Sequence, residues 1–442
     1  MSGFSSIVRY KMSDIRSKIK YFIPYIPYLV ILIFLTSYFL FLPSHTFADE
    51  YHYNNILVGD RAAGMGGAYT AISDDSAGLY YNPAGIVFSP GGSLSASANA
   101  YHITNTRYKG VIGGNDWERK SSALLPNYFG IIQSLGKGKV GFSYTVTDSI
   151  LEDQDQVFSN IPGHTSDVIN FNKNDNIYNA GLSYALRLSD VPGLKHLRLS
   201  EDFSAGITFY GHYRENQWIM NQLYNLTTGE YEWGNAYYQT NEMGIRPVIG
   251  LMWIPAEKFS IGLAMSQTTI LNSTTRFQQT YKGATYTANK VDRTDFTVNY
   301  RRVFPLTAVV GIAYFASDSL LFSGDFSYYA KTSDANFGDR EATWNAALGT
   351  EYYITEKWGL RAGIFTNRAN TSEINTGDVD KFDHVDIYGG SISITHFSRQ
   401  SSLTFGADYG FGSGKAQVLG GSYIQDVEMQ TLTGFVSAAY SY

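Results

Sequence analysis

Cysteine is absent from all 442 residues, which removes disulfides, thiolate metal ligands and a lipidated cysteine. Charge is sparse: Asp, Glu, Lys and Arg make up 16% of the chain, with acidic residues ahead by 39 to 33. Residues 1–48 hold five of the basic groups and one acidic group, so the remainder carries 28 against 38, a net charge of −10. Binding to phosphate backbones needs clustered cations, so nucleic acid is excluded as a partner. After residue 48 there is no apolar run of 18 residues, and so no further membrane helix. The seven histidines beyond that point are isolated, in no metal spacing, and no Gly-x-Ser-x-Gly elbow occurs. No catalytic, metal or cofactor residue is assigned, and the chain does not read as an enzyme.

What is present begins with a targeting segment. Arg9, Lys11, Arg16, Lys18 and Lys20 precede an apolar run from Tyr21 to Leu42, and Thr46-Phe47-Ala48 offers a small residue for cleavage. Residues 1–48 are therefore expected to be a signal peptide. The other reading is an uncleaved membrane anchor, in which Pro24 and Pro27 would weaken the helix.

From Gly91 to the C-terminus the sequence alternates with period two, the signature of strands. Leu432, Gly434, Val436, Ala438, Tyr440 and Tyr442 share one face, while Thr431, Thr433, Ser437 and Ser441 share the other. Strands are expected near 93–106, 124–135, 139–150, 177–188, 199–214, 242–254, 259–270, 295–315, 320–331, 342–354, 358–368, 384–397, 402–412 and 429–442. Their connections alternate between brief turns, such as 136–138 and 355–357, and long polar segments, 151–176, 215–241 and 369–383. A β-sandwich has no reason to alternate loop lengths, whereas an outer-membrane barrel does. The expected fold is all-β: a transmembrane, fourteen-stranded antiparallel β-barrel over residues 91–442, exported to the bacterial outer membrane. Tyr440-Ser441-Tyr442 has the aromatic ending common in the closing strands of such barrels. The expected partners are outer-membrane lipid, the barrel assembly machinery and a hydrophobic small-molecule ligand, with the protein as a monomer.

Between signal and barrel, residues 49–90 are compact and rich in small side chains. A fourteen-stranded barrel is too wide to be filled by its own side chains, so this segment is expected to plug it as a hatch containing short helices. Ser73-Asp74-Asp75 is positioned to cap a helix through Ala77 to Tyr81, with Pro83 stopping it. Arg61-Ala62-Ala63-Gly64-Met65-Gly66-Gly67-Ala68, then Asp74-Asp75, then Tyr80-Tyr81-Asn82-Pro83-Ala84-Gly85 resembles the hatch of the FadL family of outer-membrane transporters. The resemblance implies passive uptake of long-chain fatty acids or aromatic hydrocarbons, a hatch with an Asn-Pro-Ala element, and lateral release through a kinked strand. It marks Gly64, Met65, Gly66, Gly67, Asp74, Asp75, Asn82, Pro83 and Ala84 as hatch or gate residues. A related branch, similar to the PorV proteins of bacterial secretion systems, shares such wording and implies a docking role instead.

Strand phase predicts which polar residues face the lumen. Glu351 and Arg361 oppose each other across a turn centred on Glu356, and an inward ion pair is expected, because charge on the lipid face costs about 2–4 kcal/mol at mid-membrane. Asp325, Asp408, Arg246 and His212 are expected inward too, either wetting the lumen and locking the hatch or meeting a ligand's head group. Pro247 cannot donate to a strand ladder. Gly389-Gly390 separates Val385 and Ile387 from Ile392 and Ile394, which lie in the opposite phase, so a bulge is expected there. Either feature would serve as an exit for an apolar molecule or be a plain irregularity.

Overall fold

The computed structural model describes residues 51–191, 203–283, 292–418 and 421–442. The signal-peptide reading of residues 1–48 lies outside them. Strands β1 (Ser93–Ile112), β2 (Asn115–Leu135), β3 (Gly138–Phe158), β4 (His164–Arg187), β5 (Phe203–Leu226) and β6 (Tyr231–Ala256) follow one another, each antiparallel to the next. β10 (Thr307–Ser317), β11 (Leu320–Tyr329), β12 (Thr343–Thr355), β13 (Trp358–Asn367), β14 (His384–Phe397), β15 (Ser401–Ala416) and β16 (Gln425–Ser441) continue the wall. β16 then pairs with β1, Ser441 opposite Ser93, and the sheet closes.

Three segments remain: β7 (Phe259–Ser266), β8 (Thr269–Lys282) and β9 (Asp292–Val298). β7 and β8 run in succession along β6, β7 beside Val248–Ala256 and β8 beside Trp233–Ile245. On their other side, β9 pairs with β8 and β10 pairs with β7. The pieces therefore make two wall positions, one interrupted at Gln267 and Thr268 and the other at residues 299–306. The described residues form a closed, transmembrane fourteen-stranded β-barrel. The expected single strand over 295–315 is thus broken, because Pro305 has no N–H for a ladder.

Alternation governs the wall throughout. In β11, Phe322, Phe326 and Tyr328 are exposed to the outside, while Ser323 and Asp325 are buried inside. Leu182, Phe209, Ile249, Ile312, Leu348, Ile364 and Phe405 belong to the same outward apolar belt.

Segments 151–176 and 215–241 are strand, not loop. β3 and β4 turn at 159–163, and β5 and β6 at 227–230. Their polar outer faces carry residues such as Asn170, Asn172 and Gln217, while the inner faces bury Phe158, Phe171, Trp218 and Tyr238 in an apolar cluster. Strands that have left the lipid need polarity outside and apolar packing inside, so the sequence reads as polar loop.

β14 needs no bulge either. Gly389 and Gly390 pair in unbroken register with Phe365 and Ile364 on one side and Gly410 and Tyr409 on the other. Val385 and Ile387 point inward into the same apolar cluster, whereas Ile392 and Ile394 point outward. The inward face changes from apolar to polar along one strand, and that imitates a change of phase. Pro247 sits opposite Phe209 in regular register on the β5 side. On its other side β6 passes from β8 at Ile245 to β7 at Val248, so Pro247 has no ladder partner there and faces the interruption at Gln267 and Thr268.

Candidate functional site

Residues 58–92 lie inside the barrel at the end where the wall begins and ends, and Gly92 and Tyr442 exchange backbone hydrogen bonds there. Residues 51–55 run on toward the other end, where Asn370 N donates to Tyr51 O and Asn54 N to Asn367 Oδ1. Two short helices, α1 (Asp60–Gly64) and α2 (Gly78–Tyr81), and a 3-10 turn at Pro83–Phe88 form this hatch. The expected cap takes a different form: Ala77 is the N-cap without a side-chain bond, and Asp75 Oδ1 accepts from Ala77 N at 2.8 Å, a local turn before the helix.

The hatch is pinned to the wall by polar groups. Arg61 Nη2 donates to Glu351 Oε2 at 2.6 Å, and Arg361 Nε donates to Glu351 Oε1 at 2.7 Å. Arg61 also reaches Asp74 at 2.5 Å. Glu351 and Arg361 are thus cross-strand partners facing inward, and the hatch supplies a second guanidinium. Asp325 Oδ2 accepts from the backbone N–H groups of Tyr69 at 3.0 Å and Thr70 at 2.9 Å. Asn82 Nδ2 donates to Thr70 O at 2.9 Å and to Leu251 O on the wall at 3.0 Å, while its Oδ1 accepts from Ala84 N at 3.1 Å. Ser204 Oγ donates to Ala84 O at 2.8 Å.

Glycines on the wall make this closeness possible. A Cβ at Gly363 would lie 2.2 Å from the Met65 carbonyl carbon, and one at Gly250 would lie 2.1 Å from Asn82 Oδ1 and 2.9 Å from Pro83 Cδ. Ser391 Oγ donates to Gly64 O at 3.0 Å, and Gly66 and Gly67 follow with φ of +67° and +85°. Within the hatch, burial pushes the Asp75 carboxyl up to about 6; Arg61 opposes this, and Asp74 and Asp60 add to it.

Beyond the hatch lies a cavity of about 250 Å³. Its floor includes Thr70, Tyr80 and Tyr81, and its walls include Tyr53, His212, Arg246, Phe304, Asp325 and Tyr329. Aromatic rings line it among charged side chains such as Arg340 and Asp334: Tyr53 stacks on Tyr329 at 4.4 Å, and Phe304 meets the His212 ring edge-on at 5.6 Å. The cavity reaches both wall interruptions, since Gln267, Thr268 and Phe304 line it. There Gln267 Nε2 donates to Phe304 O at 3.2 Å, and Thr269 pairs with Val303 in an isolated bridge. Val303 and Leu306 present exposed side chains outward. Arg246, His212 and Asp325 share this cavity; Glu351 and Arg361 belong to the hatch latch; Asp408 lines a separate small hollow with His102 and Thr104. Gly389 and Gly390 lie in regular wall, whereas Pro247 faces the interruption at Gln267 and Thr268. The interruption at 299–306 was signalled by Pro305, and the cavity residues 52–57 by nothing in the strand pattern.

No protein-family model matches the chain, and no curated protein matches its sequence. Solved structures do match. A FadL homologue from Pseudomonas aeruginosa aligns over 88% of this chain and 99% of its own, with a TM-score of 0.63 at 14% identity. The toluene transporter TodX of Pseudomonas putida aligns over 88% and 100%, with a TM-score of 0.60 at 13% identity. The toluene transporter TbuX of Ralstonia pickettii aligns over 88% and 99%, at 0.57 and 12%. The chain has a FadL-like fold.

Proposed function

We propose that the protein is an outer-membrane channel for passive uptake of hydrophobic small molecules, long-chain fatty acids or aromatic hydrocarbons. The observation that carries this reading is the aromatic cavity enclosed between the hatch and the interrupted wall. An apolar molecule entering from the open end gains contact with rings rather than water. The hatch then denies it a straight path through the barrel, and the interruption at 267–268 and 299–306 offers a side exit toward lipid. The fold of two toluene transporters supports the substrate class. No observation favours a docking role.

A reversible clamp tests the route. Thr269 and Val303 are bridge partners, at a spacing that suits a disulfide, and the chain contains no other cysteine. Thr269→Cys/Val303→Cys in liposomes should take up toluene slowly when oxidised and at the wild-type rate when reduced. Equal uptake in both states removes the side exit, and a wild type that takes up neither toluene nor a long-chain fatty acid above empty liposomes removes the channel.

A further inference from the structure

The rings of the cavity suit an apolar body, but two polar side chains there have no use for one. Arg214 and Arg302, which line the same space, are engaged by carboxylates: Arg214 by Asp175 at 2.7 Å and Glu242 at 3.7 Å, Arg302 by Glu242 at 3.3 Å. Arg246 differs. Among the described residues its guanidinium lies 4.9 Å from the centre of the Tyr80 ring and 3.5 Å from Ser266 Oγ, and it makes no ion pair. His212 is its diagonal neighbour, since His212 opposes Gly244 and Tyr210 opposes Arg246 across β5 and β6. The ring is 5% exposed. Nδ1 lies 3.0 Å from Asn179 Oδ1, while the buried Nε2 has no partner among the described residues.

A half-exposed arginine beside water needs no explanation. A buried imidazole nitrogen left bare next to it does, because buried polar atoms in folded proteins are almost always paired. A neutral hydrocarbon in the cavity would offer neither group a hydrogen bond. A carboxyl group satisfies both: its oxygens match the fork of a guanidinium, and Nε2 takes the acid's proton or accepts a hydrogen bond from it.

Resting on the channel reading above, we infer that the cavity selects a small ring-bearing monocarboxylate. Its carboxyl group lies between Arg246 and His212, and its ring lies among Tyr53, Tyr81, Phe304 and Tyr329. The cavity's volume of about 250 Å³ falls below the roughly 300–1,000 Å³ of pockets for drug-sized ligands, which favours a single ring over a long chain. Arg246 and His212 are then the specificity-determining pair, while the rings supply the bulk of the contact.

Benzoate and toluene share a ring and differ by carboxylate against methyl, so titration calorimetry of the full chain in non-ionic detergent separates the two contributions. Wild type should bind benzoate at least about tenfold more tightly than toluene, the ratio expected for one charge-assisted contact. Arg246→Gln should lose about tenfold to a hundredfold for benzoate and less than about threefold for toluene. Arg246→Lys should recover part of the benzoate loss, since it restores the charge without the fork. Benzoate binding no tighter than toluene in the wild type overturns the inference, and so does an equal loss of both ligands in Arg246→Gln, which would make Arg246 a prop for Tyr80. Should Arg246→Gln give no heat-modifiable barrel, His212→Gln carries the same comparison. Toluene binding alone leaves the channel reading standing and ends this one; binding of neither ligand ends this inference and the aromatic-hydrocarbon form of the channel reading, leaving its fatty-acid form.

Discussion

Arg61 in the hatch and Glu351 in the wall are joined by three hydrogen bonds, two from Nε at 3.1 and 3.0 Å and one from Nη2 at 2.6 Å. Glu351 is fully buried and shares its carboxylate with Arg361. Two guanidiniums thus converge on one anion inside the barrel. Removing the anion leaves Arg361 without its carboxylate and Arg61 held by Asp74 alone, and breaking a buried pair costs about 3–5 kcal/mol. Glu351→Gln should therefore release the hatch while the strand ladder persists. Hydrogen exchange at residues 61–75 should accelerate by at least tenfold, with the heat-modifiable band retained. Unchanged exchange would show that the latch contributes nothing to seating.

Asn82 is the second attachment, completing bonds to Thr70, Leu251 and Ala84 with one side chain. Asn82→Ala strands buried backbone groups, at about 1–3 kcal/mol. Liposome swelling at matched protein abundance should report a larger leak of small solutes than in the wild type. An unaltered leak and unaltered uptake would mean that residues 61–85 do not gate the lumen.

A pH effect follows from Asp75. Its carboxyl, raised by burial to about 6 in the folded hatch, binds a proton there more readily than in an unfolded segment, where the ordinary value is near 3.8. The folded hatch holds more protons between these values, so its stability falls as pH rises from about 4 to about 7. Exchange protection of residues 61–85, corrected for intrinsic rates, should be greater at pH 5 than at pH 7. Asp75→Asn should abolish that difference; its persistence would assign the effect elsewhere.

The wall was readable because lipid outside and water inside impose a strict alternation, as in Phe322 and Phe326 against Ser323 and Asp325. Register across a tight turn is fixed by counting, so the Glu351–Arg361 pair could be expected from sequence. Arg61 could not be assigned to that pair, because nothing local specifies a partner 290 residues away. Val385 and Ile387 misled for a different reason: above the lipid the barrel's interior is itself apolar, and hydrophobicity no longer marks the outer face. At residues 299–306 the alternating hydrophobics masked the one residue, Pro305, that forbids a continuous strand.

The attachments of the hatch are scattered along the chain, at Leu251, Asp325, Glu351, Ser391 and Thr404. The wall itself closes only when β16, the last strand, meets β1. Segments joined over such separations are slow to find one another, because loop closure precedes the reward of contact. The hatch is made first and completed last: it has no finished socket until β15 is in place. Its seating is therefore expected to be among the last events of folding, later than the pairing of the strands that hold it.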